Sequence, residues 1–336
     1  MISSDPKDSS ARIGALVLLS GGLDSQLAVC VLKDQGIPVH GITFESPFFN
    51  ADKARRAAQA LGVPLHVEDF ASNIVSLLDK PPHGFGSNMN PCIDCHASML
   101  RRAGAVMEDL HCRFLCTGEV LNERPMSQNY RALQTVSQCS GHHGYIVRPL
   151  SARLLPETEP ERLGWITREK LLEINGRRRD VQLRLAAHYG LRDFPSPAGG
   201  CLLTDPGFSM RLRDLRDHEG LGNTASIALL RIGRHFRLGQ ELKLIVGRKQ
   251  AENSEIEAAG GPNDLILRAA EIVGPSCLLP STADDRQVQM AAAICARYSD
   301  SVSGLPVKIR VSSAAGERIL ETMPTLQGDL DKVRIC

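Results

Sequence analysis

Residues 13 to about 150 alternate short apolar runs with helix-spaced ones. Ala15-Leu16-Val17-Leu18-Leu19 is continuous and bulky, the pattern of a strand buried on both faces of a parallel sheet. It runs straight into Ser20-Gly21-Gly22-Leu23-Asp24-Ser25, and from Ser25 onward the spacing predicts a helix. Residues 39–44 predict a second strand. Residues 51–61 predict a helix with Ala54, Ala57, Ala58 and Leu61 on one face, stopped by Gly62. Further strands are expected at 65–70, 114–119 and 146–150, with a helix at 97–110. Strands separated by helices predict an α/β fold with a doubly wound parallel sheet. Ligands of such sheets bind beyond the carboxyl ends of the strands, where residues 20–25, Gly118-Glu119 and Arg148 all fall.

The pattern changes after residue 150. A polar connection at 156–160 leads to Arg177-Arg178-Arg179 and a helix at 181–188. A loop follows, Phe194-Pro195-Ser196-Pro197-Ala198-Gly199-Gly200-Cys201. Beyond about residue 220, strand-like runs at 232–238, Leu242–Val246, 265–267 and 307–311 predict a separate small α+β unit. The expected division is a nucleotide-binding domain at 1–165, a helical and loop segment at 166–215, and an α+β domain at 216–336. A length of 336 residues agrees with two or three domains.

Composition narrows the function classes. The net charge is +1, so a nucleic-acid surface has to be local rather than global. Aromatic residues make up 4%, too few for an aromatic base-stacking platform. The first ten residues are polar, and no apolar run reaches membrane-spanning length. A cytoplasmic protein without a membrane partner is expected. Ten cysteines in a reducing compartment should be thiols, so clustered ones point to metal binding or catalysis.

A Gly/Ser loop between a strand and a helix N-terminus is an anion site, because unpaired N–H groups and the helix dipole face the same point. The loop lacks the Gly-Lys-Ser/Thr ending of a Walker A loop. Ser20-Gly21-Gly22-x-Asp24-Ser25 resembles the PP-loop of the ATP pyrophosphatases, a superfamily with the adenine nucleotide alpha hydrolase-like fold. The resemblance implies ATP cleaved between its α and β phosphates. The expected nucleotide ligands are Ser20, Gly21, Gly22, Asp24, Ser25, Gly118 and Arg148. Asp24 is expected to hold Mg²⁺, since a carboxylate there suits a hard cation, and Arg148 to balance phosphate charge.

Cys92-Ile93-Asp94-Cys95-His96 follows Pro91 and precedes a helix, so the helix N-terminus is expected to lower the thiol pKa values. Haem attachment fits the letters but needs export. Structural zinc needs two more ligands, for which Cys112 and Cys116 are candidates. A redox dithiol is a third reading. The preferred one is an iron–sulfur or persulfide-handling site completed by Cys201, which follows a Gly-Gly loop stiffened by two prolines. Three thiolates on a four-iron cluster leave one iron open.

Here the resemblance narrows. Asn90-Pro91-Cys92-x-x-Cys95 resembles the N-P-C-x-x-C segment of the tRNA 2-thiouridylases, and Gly199-Gly200-Cys201 stands where those enzymes carry a second cysteine. Thr117-Gly118-Glu119-x-Leu121, Ser127-Gln128 and Arg148-Pro149-Leu150 resemble a pattern of the tRNA 4-thiouridine synthases. The mosaic covers roughly residues 13–205. Glu123-Arg124-Pro125 departs from it, replacing the usual glutamine stretch, and the RNA-binding extension that precedes the loop in the 4-thiouridine synthases is not found.

The resemblance implies an ATP-dependent tRNA sulfurtransferase with Asp24, Cys92, Cys95 and Cys201 as catalytic residues. Its partners would be tRNA and a sulfur donor, either free sulfide or a cysteine desulfurase or sulfur carrier. A homodimer is left open. The alternatives are another AMP-forming amidase or ligase, a small-molecule sulfur-transfer enzyme, and a non-catalytic RNA-binding protein. The stretch Arg231-Ile232-Gly233-Arg234-His235-Phe236-Arg237, with Lys243, Gly247-Arg248-Lys249, Glu252-Asn253 and Gly274-Pro275, resembles the NFACT-R RNA-binding domain. On a strand, Arg231, Gly233, His235 and Arg237 would share one phosphate-facing side.

Overall fold

The computed structural model describes residues 13–196 and 201–336. The chain divides into two compact units, 1–204 and 205–336. In the first, the order is β1 (Gly14–Leu18), α1 (Leu23–Lys33), β2 (Val39–Glu45), α2 (Asp52–Leu61), β3 (Leu65–Asp69) and α3 (Ala71–Asp79). It continues with α4 (Cys92–Met107), β4 (Cys112–Thr117), α5 (Tyr130–Ser140), β5 (Ile146–Val147), α6 (Glu159–Arg162) and α7 (Asp180–His188).

The five strands form one sheet in the order β3-β2-β1-β4-β5, every pair parallel. The expected doubly wound sheet is present. Its order reverses between β1 and β4, so the loop after β1 and the loop after β4 flank the crevice where such sheets bind ligands. Ala15, Leu16 and Val17 are fully buried, as a strand covered on both faces requires. The buried side of α2 is Ala54, Ala57, Ala58 and Leu61, as the spacing predicted, and Gly62 closes it.

Two boundaries matter for the site. The first helix begins at Leu23, so Asp24 and Ser25 lie in its first turn. The fourth begins at Cys92, five residues before the expected 97, so Cys92 and Cys95 lie on helix rather than in a hairpin ahead of it.

Segment 166–204 is not a separate layer. Ile166, Leu171, Ile174 and Ala186 enter the same core as Val17, Leu27, Phe114 and Val147. Burial of those apolar side chains ties the segment to the sheet.

The second unit contains α8 (Pro206–His218), α9 (Thr224–Leu229), β6 (Arg234–Gly239), β7 (Leu242–Val246), α10 (Gln250–Ala259) and β8 (Asp264–Ala269). Then come β9 (Cys277–Pro280), α11 (Asp285–Arg297), β10 (Val307–Ser313), β11 (Gly316–Thr322) and α12 (Gln327–Val333). Its six strands form an antiparallel sheet in the order β11-β10-β8-β9-β7-β6. One core joins this sheet to Val288, Ala291, Ala292 and Cys295 of α11. A smaller cluster joins Ile232, Ile245 and Leu278 to Ile256 of α10. The expected α+β class holds.

Two glycines bring backbone together at the crevice. Gly21 has φ +77°, and a Cβ there would stand 2.4 Å from the Lys53 carbonyl carbon. Gly118, just past β4, lies so close to the first turn of α1 that a Cβ would stand 2.5 Å from both the Asp24 carbonyl carbon and the Ser25 nitrogen. Neither obstacle is a flexible side chain that could swing away. Gly118→Ala is therefore expected to destabilise the first unit by about 1–3 kcal/mol through overpacking, measured by urea unfolding. An unchanged midpoint would show that the two segments separate at little cost.

Candidate nucleotide and thiol site

The loop after β1 is held by its own side chains. Ser25 Oγ donates to the Gly22 carbonyl at 2.8 Å, and the Gly22 N–H donates to Ser20 Oγ at 3.3 Å. Gln26 Nε2 donates to the Gly21 carbonyl at 3.0 Å and to the Asp193 carbonyl at 2.9 Å. Gly22 caps α1 from an extended conformation. The result is a preformed turn ahead of a helix N-terminus, the geometry that receives phosphate. Beyond the ends of β2 and β3 lies a recess of about 640 Å³, lined by residues that include Glu45, Asn50, Arg55 and Asp69.

Asp24 is embedded beside this loop. Burial raises its carboxyl above the usual range, while Arg179, Gln182 and Arg124 pull it down. Glu123 is raised by burial and by Asp24, and lowered by Arg124 and Arg179. Asp24 Oδ1 is buried with no hydrogen-bond partner among the described residues. A buried carboxylate oxygen without a donor is a fitting place for a hard cation.

Arg148 does not face the loop as expected. It is 6% exposed and its guanidinium is taken up within the fold. Nε donates to Glu119 Oε2 at 2.9 Å, one terminal nitrogen to Ser137 Oγ at 3.2 Å, and the other to the Leu133 carbonyl at 3.4 Å. Glu119 also accepts from Thr117 Oγ1 at 3.0 Å and from His96 Nδ1 at 3.1 Å. Burial alone would raise the Glu119 carboxyl, but Arg148 and His96 hold it down at about 2. The phosphate-balancing role passes from Arg148 to a structural one. His96, which completed the haem-like letters, serves to tie α4 to the end of β4.

The first turn of α4 carries Cys92 and Cys95. Asn90 Nδ2 reaches Cys92 Sγ at 3.2 Å. Asp94 accepts from the His83 backbone at 2.9 Å and from its ring at 2.6 Å, which holds the preceding loop on the helix. Asn88 Nδ2 donates to the Thr204 carbonyl at 2.8 Å, and Thr204 donates to the Cys201 carbonyl from N at 2.9 Å and from Oγ1 at 2.8 Å. The loop before Cys92 and the turn after Cys201 are thus joined. Gly199-Gly200, expected ahead of Cys201, lie outside the described residues.

The three thiols act on one another. Burial, then Cys201, Cys92 and Asp94, push the Cys95 thiol far up. Burial and Cys92 push Cys201 up to about 11, against backbone hydrogen bonds and Arg124. The expected lowering by the helix N-terminus is overturned at Cys95, because desolvation of a thiolate outweighs the helix end. Cys112 and Cys116 are buried within β4, and Cys116 belongs to the hydrophobic core, so neither supplies the zinc reading with its missing ligands. Among the described residues no group of three or more His, Cys, Asp or Glu side chains is placed to hold a metal ion.

In the second unit the expected basic face does not form. The sixth strand begins at Arg234, leaving Arg231 and Gly233 before it. His235 is fully buried with Nε2 2.9 Å from the Ile232 carbonyl, and burial lowers it to about 3. Arg237 pairs with Asp214 and Glu219, and Lys243 Nζ lies 3.4 Å from Glu219. Arg248 is gripped by Glu252 at 2.7 Å.

The sequence marks neither Glu123, Arg124 nor Gln182 as a ligand candidate, and marks Arg179 only within the basic run at 177–179, a second candidate for RNA contact. Their only signals were a departure from the family pattern at 123–125 and a basic run at 177–179.

The switch-point crevice and its Ser-Gly-Gly-x-Asp-Ser turn have the arrangement expected of a PP-loop protein. Residues 11–153 match the family described as "Thiamine biosynthesis protein (ThiI)", and residues 233–332 match the "NFACT protein RNA binding domain". The chain is 24% identical to "tRNA-specific 2-thiouridylase MnmA" of Methylorubrum populi over 90% of this chain and 80% of that protein. It is 28% identical to the protein of the same name in Methylobacterium nodulans, over 69% of this chain and 65% of that one. Among solved structures, a 4-thiouridine synthetase–RNA complex with bound ATP is 25% identical over 40% of this chain and 36% of that one, with a TM-score of 0.33. The chain is thus similar to the ThiI family in its first unit and to the NFACT RNA-binding domain in its second, and to tRNA thiouridylases over most of its length.

Arg148→Met is expected to cost about 3–5 kcal/mol by stranding the buried Glu119 charge, with Glu119→Gln in the same chain restoring most of it. Because folding depresses Glu119, protonation favours the unfolded chain. Stability present above a carboxyl's usual pKa of about 4.3 is expected to fall away as pH drops toward about 2. Denaturant unfolding across that range reads both effects, and a flat profile would show that the pair contributes nothing.

Proposed function

We propose that the chain is an ATP-dependent tRNA sulfurtransferase that adenylylates a uridine carbonyl oxygen, releases pyrophosphate and replaces that oxygen with sulfur. The observation that carries the reading is the joining of two parts at one sheet end. Gly118 packs against the first turn of the nucleotide loop, and Glu119, its neighbour, is bonded through His96 to the helix that carries Cys92 and Cys95. The ThiI and NFACT-R matches and the thiouridylase relatives support sulfur transfer to tRNA at the level of the family.

In this reading the N–H groups around Gly21, Gly22 and Ser25 receive the phosphates. Asp24 would hold Mg²⁺ with its unpartnered oxygen, and the ion would supply charge to the leaving pyrophosphate. The recess beyond β2 and β3 has room for the nucleoside. The uridine leaves its stack to reach the crevice, and its carbonyl oxygen attacks the α phosphorus. The adenylate formed is a good leaving group, and sulfur displaces AMP from the same carbon.

Cys92, Cys95 and Cys201 would hold the sulfur source. Bound by all three, a four-iron cluster would offer one iron without a protein ligand as a seat for sulfide. Without iron, one of these thiols would carry the sulfur as a persulfide; its outer sulfur would displace AMP, and attack by a second thiol on the protein-bound sulfur would free the product and leave a disulfide. In either case burial favours the protonated Cys95 and Cys201 thiols in the resting protein and keeps water from the sulfur. Free sulfide would serve the cluster form, and a desulfurase or carrier, which delivers sulfane sulfur, would load the persulfide form.

Anaerobic purification followed by iron and sulfide analysis and a visible spectrum tests this. The expected result is iron and sulfide in the intact chain, lost in Cys92→Ser, Cys95→Ser and Cys201→Ser together with thiouridine formation. Sulfane sulfur without iron would assign the persulfide form. Zinc alone would overturn the cluster, and full turnover by Cys201→Ser would favour a PP-loop enzyme that moves nitrogen instead.

A further inference from the structure

The chain that leads to Cys201 is fastened to the nucleotide turn by one buried side chain. Gln26 lies near the start of α1 and is 2% exposed. Its Nε2 has two hydrogens to give, and both go to backbone carbonyls, Gly21 at 3.0 Å and Asp193 at 2.9 Å. Gly21 belongs to the nucleotide turn. Asp193 belongs to the chain that leaves α7 and runs toward Cys201. One amide therefore joins two segments that the sequence keeps far apart.

Satisfying hydrogen bonds does not by itself explain this amide. Asp193 is an exposed residue, so water could serve its carbonyl, whereas burying the glutamine amide costs its own hydration. What the side chain adds is position, and the surroundings make that position definite. Gly21 backs onto the Lys53 backbone, so the carbonyl on one side of the bridge is fixed. On the other side, Arg56 Nε of α2 holds the Asp193 carboxylate at 3.2 Å, and Leu191 and Phe194 pack against the core. Beyond Cys201, Thr204 donates to the Cys201 carbonyl, and Asn88, ahead of Cys92, donates to Thr204. The segment that carries Cys201 is thus tied to the nucleotide turn before the cysteine and to the Cys92 loop after it.

We propose that Gln26 is a positioning residue whose amide locks the chain leading to Cys201 to the conformation of the nucleotide turn, so that the two halves of the site stay in register. The link rests on the ATP reading above. Gln26 needs to touch neither nucleotide nor sulfur, because it acts through the Gly21 and Asp193 carbonyls. A ligand that stiffens the turn therefore stiffens residues 191–196 through the same amide.

Hydrogen exchange of the full chain, followed by mass spectrometry with and without ATP and Mg²⁺, tests the link. In the intact chain ATP is expected to slow exchange in residues 20–26 and also, by about fivefold, in 191–196, the effect of one hydrogen bond carried between them. Gln26→Met keeps the length of the side chain and removes both donors. It is expected to keep the slowing at 20–26 and to lose it at 191–196, a split that a general loss of stability would not produce. Arg56→Gln is the control and should keep both effects, because the Arg56 side chain is 58% exposed and such pairs contribute little. If Gln26→Met does not fold, Gln26→Asn decides the matter, since its amide is a methylene short of spanning both carbonyls. Slowing at 191–196 that survives in the Gln26 variants, that is lost equally in Arg56→Gln, or that is absent from an intact chain whose residues 20–26 respond, overturns the link while the ATP reading stands. A chain in which ATP slows exchange nowhere in the first unit overturns both.

Discussion

Glu119 carries a buried negative charge at the end of β4, and four parts of the first unit meet on it. Arg148 follows β5 and supplies the opposite charge. The same guanidinium reaches Ser137 and Leu133 on α5. His96 brings α4, and with it Cys92 and Cys95, to the other carboxylate oxygen. A charge out of water has to be paired and hydrogen-bonded on every side. Meeting that demand sets where α4 lies relative to the nucleotide loop, since Gly118, one residue earlier, is in contact with Asp24 and Ser25. The pair contributes geometry more than net stability, and geometry is what a two-part reaction needs.

The polar atoms of the first unit fall into two groups with opposite states. Around Glu119 every charged group has its partner. Around the nucleotide loop, Asp24 Oδ1 and Arg179 Nε have no partner among the described residues. Proteins depart from full pairing chiefly at sites that await a ligand. The contrast separates framework from binding surface within one sheet end.

The cysteines show a similar competition. A helix N-terminus favours a thiolate and burial disfavours it, and at Cys95 burial wins. Such thiols resist adventitious oxidation and alkylation and gain reactivity only when loaded. In the second unit Arg237, Lys243 and Arg248, three of the basic residues singled out from sequence, pair with acids of the same unit, Asp214, Glu219 and Glu252. Those pairs build the fold.

The chain order by itself determined the parallel sheet, the buried β1, the helix after it and the α+β class of the second unit. Period-2 and period-3.6 patterns record which face is buried, and burial is the dominant local demand. The Ser-Gly-Gly-x-Asp-Ser turn was legible because its chemistry lies within six consecutive residues. The early start of α4 at Cys92 was masked by Pro91, which is tolerated ahead of a helix as well as outside one. What only the tertiary structure decided are relations between distant residues: Arg148 with Glu119 instead of phosphate, His235 and Arg237 turned inward, and Arg124 and Arg179 gathered on Asp24. Charge pairing depends on which elements fold against each other, and no local pattern carries that choice.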